Sequence, residues 1–384
     1  MFQRQLAIIR QKNQFISAVF DGRDLDDVIV DEAGDLALRV GDIYIGKVSH
    51  IVRNIHAAFV EVQKDCMCYV PLSEAGGGKI VQGQEMPVQI KKAAVKSKRA
   101  VASCKLQFAG KYAVVTNDSE EKSISSKITD ETVRARLEQI LEPLREIPFG
   151  IILRTGCQHA SDASIQEECA RLVREAEQVA SKSKTRIRFS RLYRSDMEVV
   201  KYLRSTPKGR FDRIITDERE IYEMLGETGE FADENIVFYE DESYPLEKLL
   251  GIGDKLEKAL MRHVWLKSGA SLVIDPTEAL TVIDVNTQKA IEGKRSSETT
   301  FFQINREAAR EAARQIRIRN ISGIILIDFI DMKDREHIQV LLRELESEFE
   351  KDSVKTNVVD ITKLGLVEIT RMKVRKPLRE FMHR

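Results

Sequence analysis

Between Gly41 and Gln107 apolar and polar residues alternate in short runs: IYIGKVSHIV, AAFVEVQ, CYVPLSEA, EMPVQIKKAAV and AVASCKLQ. A period of two puts every second side chain on one face, as in half-buried strands. Five such strands packed so closely predict a small barrel, and the OB-fold is the commonest such barrel that binds nucleic acid. From about Thr129 the pattern turns helical, with TVRARLEQILEPL and SIQEECARLVREAEQVASK on either side of a strand, GIILRT. Between Asp196 and Leu266 two helical stretches accompany strand candidates DRIIT and NIVFY.

The final third alternates between the two periods. Strand SLVID, turn PTEA and strand LTVIDVN precede a long helix through Ala308 to Ile316, strand GIILID, a second helix and strand VVDIT. Such alternation predicts an α/β layer with a partly parallel sheet. In the second helix Ile338, Leu341, Leu342, Leu345 and Phe349 follow helical spacing and should pack on that sheet.

Two of these apolar strands end in an acid, Asp284 and Asp328. Ligands of open α/β sheets gather beyond the carboxyl ends of strands, so both acids would lie there. On neighbouring strands roughly 5 Å apart their charges would repel by about 3 kcal/mol at an effective dielectric near 20, a cost that a divalent cation removes. Asn286, two residues beyond Asp284, points to the same side and is placed to orient a water or a phosphate oxygen. Oxygen ligands, few of them from protein, suit magnesium bound together with a substrate phosphate. Spacing alone equally allows acids that cap helices or face water, and Asp275, Asp331 and Asp360 stand at similar positions.

Composition narrows the classes without choosing among them. Lys plus Arg equals Asp plus Glu at 61 each, so there is no polybasic chain and any nucleic-acid surface depends on segregated charge. No run approaches the roughly 18 apolar residues of a membrane span, and the start MFQRQLAIIRQKNQ lacks a signal core, so a cytoplasmic protein without membrane partners is expected. The five cysteines, at 66, 68, 104, 157 and 169, form no CxxC pair, which argues against both a disulfide framework and a zinc knuckle. GGGK at Gly76 to Lys79 lacks phosphate-loop spacing, and the six scattered histidines nominate no catalytic pair.

Taken together, LVIDPTEALTVIDVN, NREAAREAARQIRIRNISG and GIILIDFIDM resemble the catalytic core of the ribonuclease E/G family. IYIGKVSHIVRNIHAAFVEV resembles that family's RNA-binding barrel of the ribosomal-protein-S-one type. The resemblance implies an α/β multidomain chain: an RNase H-like domain from residues 1–39 and 196–260, interrupted by the OB-type barrel at 40–110 and a 5′-sensor region at 111–195, then a DNase I-like catalytic domain at 261–384. It further implies a magnesium-dependent endoribonuclease that cuts single-stranded RNA to 5′-phosphate and 3′-hydroxyl ends. Asp284 and Asp328 match the two metal ligands, and Asn286 the polar residue grouped with them.

On the barrel, Phe59 and Tyr69 are aromatic strand positions beside a basic cluster of Lys91, Lys92, Lys96, Lys98 and Arg99. Rings that stack bases while cations hold phosphates grip single strands in this way, although small barrels also need such rings inside. Phe59, Tyr69 and Lys98 match positions the family uses beside the scissile segment; the second aromatic is commonly Phe, and Tyr keeps the stacking face. Arg154-Thr155, closing GIILRT, matches the pair that recognises a 5′-monophosphate. The family's usual Arg-Thr-Ala-Gly reads here Arg154-Thr155-Gly156-Cys157, which changes the following turn.

Family members typically carry a Cys-Pro-x-Cys motif after the catalytic domain, through which two chains share a zinc. The stretch Ile369 to Arg384 holds no cysteine, so any homo-oligomer is expected to form without that link. The basic residues from Arg371 onward read as a tail that adds to the RNA path. Degradative partners are not legible, and a non-catalytic RNA-binding or ribosome-associated factor, using the barrel alone, is the competing class.

Overall fold

A computed structural model describes residues 3–34, 38–76, 80–94, 99–206, 209–227, 231–232, 234–287 and 298–382. Lys96 and Lys98 of the expected basic cluster lie outside these. The chain divides into two compact units, residues 34–197 and residues 1–33 together with 198–384.

Three antiparallel strands open the chain, β1 (Arg4–Gln11), β2 (Gln14–Asp21) and β3 (Asp24–Glu32). After them, residues 34–197 begin with the barrel: β4 (Ile43–Val52), β5 (Ala57–Gln63), β6 (Cys66–Pro71), β7 (Glu85–Lys92) and β8 (Val101–Ser103). Pairings run β4-β5-β6-β8-β7, and β7 returns to β4, so the ring closes into the expected OB-like barrel. Its interior is made by every second residue, including Val60, Val62, Cys68, Val70, Val88 and Ile90, all buried. Gly46 lies where strands cross closely: a Cβ there would meet Val60 Cγ1 at 2.5 Å.

A four-stranded sheet follows in the same unit, built from β9 (Gln107–Ala109), β10 (Ala113–Thr116), β11 (Lys122–Ile124) and β12 (Gly150–Leu153). Helices α1 (Glu131–Leu141) and α2 (Asp162–Ser183) cover it with Leu137, Ile140, Ile165, Cys169 and Leu172. Both helices start on a capped residue, since the side chains of Asp130 and Ser161 accept first-turn N–H groups. Strand β13 (Arg191–Tyr193) returns to the edge of β4.

In the other unit, α3 (Glu198–Ser205), β14 (Arg213–Thr216), α4 (Arg219–Glu227), β15 (Ile236–Phe238), α5 (Leu246–Leu250) and α6 (Ile252–Leu260) complete the first sheet, ordered β15-β14-β1-β2-β3. Strand β3 buries three acids, and each has a partner. Asp31 accepts the N–H groups of Glu198 and Val199 at the start of α3, and Asp27 accepts that of Val28. Asp26 is bound by Arg317 at 2.6 Å and Arg4 at 2.8 Å. Burial alone would raise the Asp26 carboxyl, but the two guanidiniums outweigh it and hold it below the usual range.

The last sheet contains β16 (His263–Trp265), β17 (Ser271–Pro276), β18 (Leu280–Asn286), β19 (Gly323–Asp328), β20 (Thr356–Ile361) and β21 (Val367–Arg371), in the order β16-β17-β18-β19-β21-β20. Only β18 and β19 run parallel, because helix α7 (Glu298–Ile318) carries the chain back between them. Ala308, Ala309, Ala312 and Ala313 on α7 allow close approach to Ile283, Ile325 and Ile327 on one face of the sheet. Full burial of each such isoleucine contributes about 1.5–3 kcal/mol. Helix α8 (Arg335–Glu350) adds Leu341, Leu345 and Phe349 to the same core.

The C-terminal stretch differs from the tail expected of it. Arg371 ends a buried strand and is only 2% exposed, and Leu378 of α9 (Leu378–Met382) is buried beside β1–β3. Those residues fold back onto their own unit.

Candidate active site and nucleic-acid interface

Asp284 and Asp328 are direct partners in the parallel register of β18 and β19. Opposed residues of a ladder share a face, about 4.8 Å apart along the hydrogen-bonding direction. Their strands alternate, with Ile283 and Ile327 turned into the helix-covered core, so the two carboxylates stand together on the other face. Asn286 lies on that face too, and its Nδ2 donates to Asp284 Oδ2 at 2.6 Å. The amide fixes one carboxylate oxygen, and among the described residues the other accepts no hydrogen bond. Partial burial raises the Asp328 carboxyl above its ordinary value, and the charges of Asp284 and Asp331 raise it further.

Of the other strand-end acids, Asp275 is taken by Arg262, with Nη2 donating to Oδ2 at 2.6 Å. Asp360 belongs to the outer strand β20. Asp331 adds charge near Asp328 without joining its strand. Among the described residues no group of three or more His, Cys, Asp or Glu side chains forms a metal cage. Two carboxylates with one orienting amide fit a hard cation that takes its remaining ligands from water and substrate.

The turn after Asp328 is held from α7. Asn305 is fully buried; its Nδ2 donates to the Ile330 carbonyl at 2.7 Å and its Oδ1 accepts from the Ile330 N–H at 3.0 Å. Two turns earlier, Glu298 accepts the N–H groups of Lys333 at 3.0 Å and Asp334 at 3.1 Å. His337 stacks on Phe302 beside them, with ring centroids 4.1 Å apart. These residues escape a reading that looks only for acids and basic clusters. The signal was a polar Asn on the apolar stripe of a helix whose neighbours are Ile304, Ala308 and Ala309.

On the barrel, register places His50, Phe59 and Tyr69 in one row across β4, β5 and β6. Phe59 and Tyr69 stand half-buried on the outer face, their rings edge-to-face at 6.0 Å. The guanidinium of Arg99 lies 5.1 Å from the Phe59 centroid, a cation over a ring. Lys91 is partly drawn in, donating to Gln89 Oε1 at 2.8 Å, and burial lowers its pKa. Lys98 lies outside the described residues.

Arg154 and Thr155 follow β12 and are exposed, but Arg154 Nη1 already donates to the Gly110 carbonyl. The altered turn is anchored by buried Cys157, whose Sγ donates to the Tyr112 carbonyl at 3.1 Å, and by Arg136, which donates to the Cys157 carbonyl at 2.7 Å. Burial pushes the Cys157 thiol up to about 11, which marks it as a packing residue.

A profile of the ribonuclease E/G family matches residues 107–374. Ribonuclease G of Escherichia coli K12 is 32% identical over 383 residues, covering 94% of this chain and 78% of that protein. The chain belongs to the ribonuclease E/G family. Ribonuclease G of Haemophilus influenzae is 30% identical over 88% of this chain and 73% of its own length. Ribonuclease E of a Synechocystis strain is 29% identical over 95% of this chain and 56% of its own length. The span 107–374 contains the positions of the carboxylate pair and the Asn305 clamp.

Within this family member the Asn305 clamp gives a test. Asn305→Ala leaves both main-chain polar groups of Ile330 without partners, at about 1–3 kcal/mol each, and releases the turn that follows Asp328. Turnover on RNA is expected to fall by about a hundredfold, the usual cost of a misplaced group, with KM little changed. An Asn305→Ala protein with wild-type kcat would show that the clamp serves stability alone.

Proposed function

We propose that the chain is an endoribonuclease that cuts single-stranded RNA with a magnesium ion held between Asp284 and Asp328. The observation that carries this reading is their direct pairing on the parallel strands β18 and β19, in a ribonuclease E/G family member. When bound, magnesium supplies positive charge beside the scissile phosphate, where charge develops during hydrolysis. Asp284 and Asp328 would hold that charge at the strand ends, and Asn286, donating to Asp284 Oδ2, fixes the orientation of that carboxylate. No side-chain nucleophile is required: on the family resemblance, water adds at phosphorus, the P–O3′ bond breaks and the 3′ oxygen leaves with a proton, giving 5′-phosphate and 3′-hydroxyl ends.

On the same reading, Phe59, Tyr69 and Lys98 grip the strand on the barrel, and Arg154 with Thr155 receives a 5′-monophosphate. The reading keeps the domain assignment of RNase H-like, barrel, sensor and DNase I-like parts, and places the enzyme in cytoplasmic processing and decay of ribosomal and messenger RNA.

The deciding experiment uses short labelled single-stranded RNA with a 5′-monophosphate or a 5′-hydroxyl, each with magnesium and with EDTA. Internal cleavage with magnesium, its loss with EDTA, and a faster rate on the monophosphate are expected. Binding without any cleavage under magnesium would instead favour an RNA-binding factor. Equal rates on the two substrates would remove the role given to Arg154.

A further inference from the structure

Strand β4 contains an irregularity that changes which side chains reach the outer face of the barrel. Lys47 pairs with Glu61 and Val48 with Val60, and Val48 points into the core. Strict alternation would turn residue 50 inward as well. The register shifts between Val48 and His50, so Ser49 is the extra residue and His50 comes opposite Phe59 on the outside. Bulges recur where a strand must re-aim a side chain.

The re-aimed ring is exposed and lies flat against Phe59, with centroids 4.7 Å apart and planes 16° from parallel. Ser49 Oγ is 3.3 Å from its Nδ1. Arg99 and the edge of Tyr69 take up other approaches to Phe59. A base approaching from the β4 side therefore meets imidazole before it meets Phe59.

We propose that His50 is the outer stacking surface of the barrel: an RNA base lies on the imidazole face turned away from Phe59, while Arg99 contributes charge to the neighbouring phosphate. This assignment rests on the barrel being the RNA-binding surface, as proposed above. Aromatic stacking tolerates any base, so His50 sets affinity and the position of the strand rather than sequence preference.

The test measures dissociation constants of the full chain for a short fluorescent single-stranded oligouridylate in EDTA, by anisotropy across a salt series. His50→Ala should weaken binding by about fivefold or more, with an unchanged salt slope, because stacking releases no counterions. His50→Phe should stay within about twofold of wild type, because it keeps the stacking face. Arg99→Ala should weaken binding and flatten the salt slope. Moving one abasic site along the oligomer should find a position at which the His50→Ala penalty vanishes. If His50→Ala binds as wild type does, or more tightly, while Phe59→Ala binds weakly, His50 is a cover over Phe59 and the assignment fails alone. If neither substitution matters, the barrel is not the RNA surface and both readings fall.

Discussion

Asp284→Asn and Asp328→Asn should each slow RNA cleavage by on the order of a thousandfold, as expected when charge stabilisation is removed from a transition state. The two side chains are register partners, so neither can be replaced by a neighbour. Asn at position 284 can still accept from Asn286, so the loss follows from charge and not from collapse of the strand end. Two carboxylates about 5 Å apart repel by roughly 1–3 kcal/mol, depending on how well water screens them. Neutralising one should therefore leave the melting temperature unchanged or raise it, the usual signature of an active-site group held at a cost to stability. RNA affinity in EDTA should stay near wild type. Asp275→Asn is the control: its carboxylate is engaged by Arg262, and cleavage should persist. Turnover near wild type in either Asp284→Asn or Asp328→Asn, on folded protein with magnesium, would end the assignment.

The contrast between legible and hidden parts follows from what patterning can report. The barrel was legible because β4 to β8 are half-buried strands, whose alternation is visible residue by residue. Strands β18 and β19 were legible as apolar runs ending in acid, and the helix between them made a parallel pair the economical reading. Strand β3 was not legible as a buried strand, since DLDDVIVDE looks polar. Its Asp26 and Asp31 are buried where Arg317, Arg4 and main-chain donors from distant segments meet them, and buried Asp27 accepts the N–H of its neighbour Val28. Hydropathy counts a charge and cannot see its partner. His50 was missed for a related reason, since a bulge reverses the facing of every later residue in the strand. Spacing could not tell Asp284 and Asp328 from Asp275 and Asp331; the family resemblance singled the two out, and register sets them side by side.

Arg371 shows most sharply how partnership overrides polarity, and its removal should be the most damaging single change to stability. Its side chain and that of Asp352 are both fully buried, with Nε donating to Asp352 Oδ2 at 2.7 Å. Nη1 donates to Asn320 Oδ1 at 2.6 Å and to the Ile321 carbonyl at 3.0 Å, and Nη2 to Asp352 Oδ1 at 3.2 Å. One guanidinium thus ties the end of α7, the approach to β19, the residues after α8 and the end of β21. Asn320 adopts a positive φ of 48° at the helix end, a conformation Asn tolerates better than most residues, so its side chain is already aimed. Arg371→Ala would leave the Asp352 carboxylate buried without its counter-charge, at about 3–5 kcal/mol. In a unit of this size that corresponds to a fall of about 6–20 °C in melting temperature. Arg371→Lys should recover little, because a single ammonium cannot replace the planar fork. The double variant Arg371→Met with Asp352→Leu should recover much of the loss, since an apolar pair of similar volume removes both charges together. Thermal denaturation of the four proteins checks this. A double variant less stable than Arg371→Ala would mean that the hydrogen bonds to Asn320 and Ile321, and not the ion pair, hold the entry to the strand that carries Asp328.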